Sequence, residues 1–201
     1  MILEMPDLSD DDPFISWERI DKYINQEHLK LKLMTATHVH GDHFNTYPQF
    51  NKKFPNIPII VNPLFFREVT ISNFITPRDI WHSHSLKPSY FLKDIPIYCF
   101  EGKSFETDLS GEPLYLLRAP KHSWSDTLIL FRGTMITGDW WLGPGDPNPN
   151  RIPIGTINRS IDFLESFIKE KQYHIHTLIS VHANEYRRGI DFIEIMEQTR
   201  P

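Results

Sequence analysis

Short apolar runs alternate with amphipathic stretches along this chain, and the pattern predicts an alternating order of strands and helices. In the first amphipathic stretch, Trp17, Ile20 and Ile24 recur at the spacing of one helix face. Helices are predicted at residues 16–27, near 156–171 and near 190–198. A further helix is expected to begin at Pro63, because proline is favoured at the first helical position.

The strands are predicted from apolar runs that are bounded by turn residues. They are expected around residues 31–35, at 57–62, at 177–181, and as successive strands through 97–138 that include 114–118, 127–131 and 134–137. Residues 72–95 are rich in proline, serine and aromatic side chains and are expected to form a loop with a short helix. The order of elements predicts an α/β fold of layered type.

A cluster of polar residues directly follows the first of these strands. Three imidazoles and one carboxylate occur at His38, His40, Asp42 and His43. An ordinary core does not tolerate so many polar groups together, whereas a metal site requires them. His38 and His40 are two residues apart and therefore project to the same side of an extended chain. Gly41 permits a turn after them, so the side chains of Asp42 and His43 can face a second metal ion.

Three further candidate ligands lie at the ends of apolar runs. They are His122, Asp139 and His182. Strand ends are where a rigid scaffold presents functional side chains.

With these residues, the chain resembles the metallo-β-lactamase superfamily, whose signature is His-x-His-x-Asp-His followed by a lone His, a lone Asp and a final His. The resemblance extends from about residue 15 to about residue 195, and every position of the signature is filled. It implies an αββα sandwich. It also implies one metal ion on His38, His40 and His122, a second on Asp42, His43 and His182, and Asp139 as the bridge between them.

The resemblance implies a hydrolase with two zinc ions per chain, in which Asp42 and Asp139 are catalytic. A metal-bound hydroxide would attack a small ester, thioester, lactone or phosphoester. Iron and manganese also accept imidazole and carboxylate ligands. An iron-dependent oxygenase of the same fold, using the first His triad with Asp139, is therefore an alternative, as is a non-catalytic metal-bound interaction subunit. Relatives with a di-iron redox centre carry Glu at the position of His40, so His40 disfavours that subgroup.

Only 37 residues precede His38, whereas superfamily members usually begin with several strands and an Asp-x-Gly loop. The sequence therefore predicts a single domain over residues 1–201 that lacks the usual N-terminal strands, with residues 1–14 flexible. Either the chain starts late, or a homodimer or a partner chain completes the sheet edge, because unpaired edges invite association.

The composition agrees with one enzyme domain of 201 residues, of which 40% are hydrophobic. No run approaches the ~18 apolar residues of a membrane span, and the first residues show no secretory pattern. Cys99 lies in an apolar run and is expected to be buried. We therefore expect a cytoplasmic protein that acts on a small molecule and not at a membrane. The net charge of -5 argues against a nucleic-acid partner.

The residues that choose the substrate are less well defined. Trp140 and Trp141 follow a candidate ligand and either wall the substrate pocket or pack in the core. Tyr186 and Arg187 follow the last ligand and either grip an anionic substrate group or begin a solvated helix. Asp126 either orients a ligand imidazole or caps a turn. The pairs at 82/84 and 174/176 repeat the His-x-His spacing without the following Asp-His, which disfavours a role as ligands.

Overall fold

The computed structural model describes residues 1–5, 15–44, 47–65, 97–143, 152–181 and 186–201. The chain divides into two compact units. The first comprises Met1–Val61 and Phe66–Cys99, and the second comprises Asn62–Phe65 and Phe100–Pro201. Each unit contains its own sheet among the described residues. The loop predicted at 72–95 lies outside the described residues, as does most of the helix predicted to begin at Pro63.

The first unit contains a sheet of four strands in the order β1-β2-β3-β4, with every neighbouring pair parallel. The strands are β1 (Ile2–Leu3), β2 (Met34–Thr35), β3 (Ile59–Val61) and β4 (Ile97–Cys99). The helices are α1 (Ile15–Gln26), α2 (Gly41–Phe44) and α3 (Tyr47–Lys53). Helix α1 confirms the first predicted helix. Strand β2 is shorter than predicted, because only Met34 and Thr35 pair with β1.

Two expectations for this unit need correction. Ile2 and Leu3 were expected in a flexible segment, but they form β1, where the Ile2 N–H donates to the Leu33 carbonyl at 3.0 Å and the Ile2 side chain is buried. Residues 6–14 lie outside the described part of the chain. Cys99 was expected to be buried and is exposed. It ends β4, the last strand in the order of this sheet, where Tyr98 is exposed as well.

The second unit contains a six-stranded sheet in the order β10-β9-β8-β7-β6-β5. Its strands are β5 (Ser104–Leu109), β6 (Glu112–Arg118), β7 (Thr127–Phe131), β8 (Thr134–Gly138), β9 (Thr177–Ser180) and β10 (Tyr186–Arg188). Neighbours are antiparallel except β8 and β9, which are parallel. The prediction of successive strands through residues 97–138 is confirmed. Residues 186–188, considered above as a helix start, form a strand instead because they pair with β9.

Two helices cover the core of the second unit, α4 (Ile154–Lys171) and α5 (Phe192–Gln198), and both were predicted. The parallel strands β8 and β9 require a crossover, and α4 lies in that connection. The apolar face of α4 buries Ile157, Ile161 and Leu164 in one cluster with the side chains of β6 to β9. This packing gives the strand ends of the second unit a rigid base.

Candidate metal centre

The histidine cluster of the first unit lies in the segment that follows β2 and continues into α2. His38 and His43 are completely buried and His40 is partly buried. The ring centroid of His38 lies 4.3 Å from that of His40 and 4.0 Å from that of His43. The structure therefore brings together the three imidazoles of the signature that precede residue 44.

A tight turn produces this convergence. The backbone N–H groups of His43 and Phe44 both donate to the carbonyl of His40 at 3.0 Å, which begins the short helix α2 at Gly41. The ring of Phe44 is buried and stacks on Tyr47, with 4.6 Å between centroids. The apolar packing of Phe44 fixes the end of the turn, so the preceding imidazoles are held at the other end.

Glu4 supports the histidine cluster, although no pattern in the sequence singles it out. Its carboxylate accepts hydrogen bonds from the backbone N–H of Thr37, at 3.2 Å, and from the Thr37 hydroxyl. One of its oxygens also lies 3.3 Å from Nδ1 of His43. The Thr37 hydroxyl oxygen lies 3.2 Å from Nδ1 of His38. Contacts of this kind fix the tautomer and the orientation of imidazoles that bind a metal.

The backbone of the same segment holds the cluster as well. Glu4 N–H donates to the Thr35 carbonyl at 3.0 Å, and Met5 N–H donates to the His43 carbonyl at 2.7 Å. The Glu4 backbone has a positive φ of 67°, which is unusual for a residue other than glycine. The strand β1 and the two residues after it are thus tied to both ends of the His38–His43 segment.

Asp42 is the most accessible member of the signature within the described residues of the first unit. Its side chain is 46% exposed, and its Oδ2 lies 3.5 Å from Nε2 of His43. The two side chains that were predicted to share the second metal ion are therefore neighbours. The exposed carboxylate is available to water, whereas the imidazole beside it is buried.

The second unit brings together two further candidate ligands. His122 follows β6 and Asp139 follows β8, and His122 Nε2 lies 3.6 Å from Asp139 Oδ2. Asp139 is buried and His122 is partly buried. Imidazole and carboxylate at this separation have the donor types and the spacing that one metal ion requires.

The loop that carries His122 is organised by Asp126. The Asp126 Oδ2 accepts hydrogen bonds from the backbone N–H groups of Lys121 at 2.9 Å, His122 at 2.6 Å and Ser123 at 2.9 Å. Of the two roles considered for Asp126, these contacts support the cap of a turn. A carboxylate with three backbone donors is a strong local constraint, so the backbone of His122 is fixed from within its own loop.

Asn62 supports the same loop from a distant part of the sequence. Its buried amide nitrogen donates to the Ser125 carbonyl and to the Thr127 hydroxyl, the latter at 2.9 Å, and its amide oxygen accepts from Leu64 N–H at 2.8 Å. Asn62 is 65 residues away from Thr127. No spacing rule connects the two positions, so Asn62 could not be predicted from the sequence.

The loop after Asp139 is held by Ser180 at the end of β9. The Ser180 hydroxyl lies 2.6 Å from the Trp141 carbonyl and 3.2 Å from the Gly138 carbonyl. Trp140 is fully buried and Trp141 is 3% exposed, both within the core of the second unit. This burial agrees with core packing, one of the two roles predicted for the pair, and the pocket role stays a prediction.

Several of the other predicted positions lie outside the described residues. His182 lies outside the described residues, and so do His82 and His84. Tyr186 and Arg187 form strand β10, and their side chains are outside the described part. His174 and His176 are exposed, with 6.2 Å between ring centroids. Within the described ranges, no helix is long and apolar enough to cross a membrane.

Comparisons with known proteins identify the fold. No protein-family model matches the chain. The coenzyme F420H(2) oxidase of Methanocaldococcus jannaschii is 29% identical over 117 residues, which are 57% of this chain and 24% of that protein. The chain thus matches about a quarter of the length of this curated relative.

Solved structures match over most of the chain. A metallo-β-lactamase from Pontibacter korlensis has a TM-score of 0.59 and 10% identity, covering 98% of this chain and 78% of the other. A protein solved in a di-iron-bound form has a TM-score of 0.59 and 17% identity, covering 90% and 82%. Two further metallo-β-lactamases and an archaeal protein of the metallo-β-lactamase superfamily match in the same way. The chain therefore has the mixed α/β, two-sheet fold of the metallo-β-lactamase superfamily.

Each unit contains candidate donors for a metal ion. Among the described side chains, the first unit offers His38, His40 and His43, and the second unit offers His122 and Asp139. Each of them is buried or partly buried, and each lies on a segment where the signature predicted a ligand. The donor set of imidazole with carboxylate fits zinc, iron or manganese and does not by itself choose among them.

Proposed function

We propose that this protein is a dinuclear metal-dependent hydrolase that acts on a small ester, thioester, lactone or phosphoester. The observation that carries the proposal is the cluster of three imidazoles on one short segment, with 4.3 Å and 4.0 Å between ring centroids. Imidazole nitrogens are preferred ligands of zinc and iron, and three of them converging on one short segment is the arrangement that a metal centre requires.

The proposed ligands follow the order of the superfamily signature. His38, His40 and His122 would hold one ion, Asp42, His43 and His182 would hold the other, and Asp139 would be a ligand shared by both. Support comes from each unit separately. The first unit brings its imidazoles into contact, and the second holds His122 and Asp139 with 3.6 Å between donor atoms. The buried surroundings of His38 and His43 fit ligands that must remain neutral and oriented.

A bound zinc ion lowers the pKa of its water to about 7 and so supplies hydroxide near neutral pH. The protein groups supply orientation and proton transfer around that water. Asp42, whose exposed carboxylate lies beside His43, would orient this water and accept its proton. Asp139 is buried directly after β8, where it would provide a carboxylate ligand from the second unit. Glu4 and Thr37 keep the buried imidazoles in their binding orientation.

Hydrolysis is tested by screening the four substrate classes with the zinc-loaded protein and with Asp42→Ala. We expect turnover of at least one class, and we expect Asp42→Ala to abolish it while the far-ultraviolet circular dichroism stays unchanged. An exposed acidic residue away from the cluster, Glu18, provides the control variant Glu18→Gln, which should retain full activity. Equal activity in Asp42→Ala and the unaltered protein would contradict the role of Asp42.

A second candidate is oxygen chemistry at iron, and two findings favour it. The curated relative is described as an oxidase, and one structure of the same fold was solved with two irons. In this alternative, His38, His40 and His122 hold a single iron together with Asp139. Oxygen consumption by protein purified from iron-supplemented cells, in the absence of hydrolysis, would select it. No oxygen consumption by the iron-loaded protein would exclude it.

A further inference from the structure

Lys121 is the unexpected residue of the second unit. Its side chain is 1% exposed and is among the largest fully buried side chains of the protein. Lysine is almost never fully buried, because removing an ammonium group from water costs free energy unless hydrogen bonds and charges compensate it. A buried lysine therefore indicates a specific task for its ammonium group.

The ammonium group joins two loops. Lys121 Nζ donates a hydrogen bond of 2.7 Å to the backbone carbonyl of Trp140, and it lies 5.3 Å from the centroid of the Trp140 ring. Lys121 directly precedes His122, and Trp140 directly follows Asp139. The hydrogen bond thus connects the neighbours of two candidate ligands, whose donor atoms are 3.6 Å apart.

The other supports of these loops act differently. Asp126 binds three backbone N–H groups within the loop of His122, and Ser180 holds the carbonyls on both sides of Asp139 and Trp140 from strand β9. Each of these contacts stabilises one loop. The Lys121 ammonium spans from one loop to the other, so it bears on the separation of the ligands themselves.

We propose that Lys121 is a positioning residue of the metal centre, whose ammonium group holds His122 and Asp139 at the separation that a shared metal ion needs. The inference rests on the proposed function, since it requires a metal on these two ligands. Lys121 is too deeply buried to touch substrate, so it acts through its neighbours. Loss of the ammonium leaves the Trp140 carbonyl without this donor and releases the two loops from each other.

The test replaces Lys121 by methionine, which keeps an unbranched stem of similar length and removes the N–H donors and the charge. The matched control is Ser160→Ala. The buried Ser160 hydroxyl donates to the carbonyl of Pro120 at 2.9 Å, so it supports the same loop one residue earlier but has no hydrogen bond to the loop of Asp139 among those described. Each variant removes a described buried hydrogen bond at this loop.

Zinc affinity is measured by competition with a chromophoric chelator, and ligand geometry by the visible absorption of the cobalt(II)-substituted protein. We expect Lys121→Met to bind zinc about 10–100-fold more weakly, the range typical for residues that support ligands, and to alter the cobalt spectrum. We expect Ser160→Ala to bind within about twofold of the unaltered protein, with an unchanged spectrum. Lys121→Arg, which keeps the charge and donors, should bind zinc more tightly than Lys121→Met.

Three results would overturn the inference. The first is Lys121→Met with unchanged zinc affinity and cobalt spectrum. The second is Ser160→Ala with an equal loss of affinity, since a general weakening of the fold would then explain both variants. The third is Lys121→Arg binding no better than Lys121→Met. If Lys121→Met does not fold, Lys121→Gln takes its place in the same comparison. If the unaltered protein binds no metal, the proposed function fails first, and the inference fails with it.

Discussion

The two sets of candidate ligands are held in opposite ways. The histidine cluster of the first unit follows a strand of two residues and enters a helix of four. Its supports, Glu4 and Met5, come from a segment more than 30 residues earlier in the chain. His122 in the second unit lies between strands of seven and five residues and is fixed by Asp126 in its own loop.

The two units therefore differ in how closely their candidate ligands are spaced and in how rigidly those ligands are supported. The first unit concentrates imidazoles in a short segment, but that segment depends on a remote carboxylate. The second unit presents its ligands singly, at the ends of long antiparallel strands that rest on α4. We therefore expect the first cluster to depend more on bound metal and on Glu4, and the second to remain formed without metal.

Replacement of His38 should have the largest effect. His38 is fully buried and its ring lies beside both of the other imidazoles, so His38→Ala removes the centre of the cluster. We expect zinc affinity to fall by more than about 100-fold, beyond the range of residues that only support ligands. Chelator competition measures the change. The control His174→Ala alters an exposed histidine of the second unit and should leave zinc affinity unchanged.

Glu4→Gln tests the remote support of the cluster. The substitution keeps the shape of the side chain but removes the charge that Thr37 and His43 face. We expect zinc affinity to fall by about 10–100-fold, with a loss of about 1–3 kcal/mol in the free energy of unfolding of the metal-free protein. Chelator competition and urea denaturation measure the two quantities. Unchanged affinity would show that the N-terminal strand does not position the imidazoles.

Asn62→Ala tests the support of the second unit. The variant loses the hydrogen bonds from the Asn62 amide to Thr127 and to the Ser125 carbonyl and leaves buried groups without that partner. We expect a loss of about 1–3 kcal/mol in unfolding free energy, measured by urea denaturation. The control Asp108→Ala removes an exposed turn contact to Gly111 and should change stability by less than about 0.5 kcal/mol. Equal effects of the two substitutions would contradict the role of Asn62.

Metal removal should distinguish the two units without any substitution. We expect the amides of residues 38–44 to exchange hydrogen faster in the chelator-treated protein, because ligand binding and local folding are coupled. The amides of strands β6 to β8 should exchange at nearly the same rate with and without metal. Hydrogen exchange followed by mass spectrometry resolves both regions. Equal acceleration of exchange in the two units would contradict the expectation that the first cluster depends more on bound metal than the second.

The sequence predicted most strands and helices of the described residues because apolar periodicity is a local property. Helix α4 and strands β6 to β8 lie close to their predicted positions. The strand at Ile2–Leu3 was not predicted, since two residues carry no periodicity and pair only through a distant partner. Cys99 was placed wrongly because an apolar run does not reveal whether its strand lies last in the sheet.

The candidate ligands could be predicted because metal binding requires particular residue types at particular spacings. The residues that support these ligands could not be predicted. Glu4 contacts a residue 33 positions away, and Asn62 one that is 65 positions away. No sequence pattern distinguishes Lys121 from an exposed lysine, and its burial is visible only in the folded structure. The supports of a site depend on tertiary packing, which single-sequence patterns do not encode.

Metal content per chain tests whether this chain holds the proposed dinuclear centre. Elemental analysis of protein purified without added metal is compared with the variants His122→Ala and Asp139→Ala. We predict about two transition-metal ions per chain, zinc above all, and fewer in both variants. A well-folded protein with no metal, even after incubation with zinc, would contradict the proposed dinuclear centre.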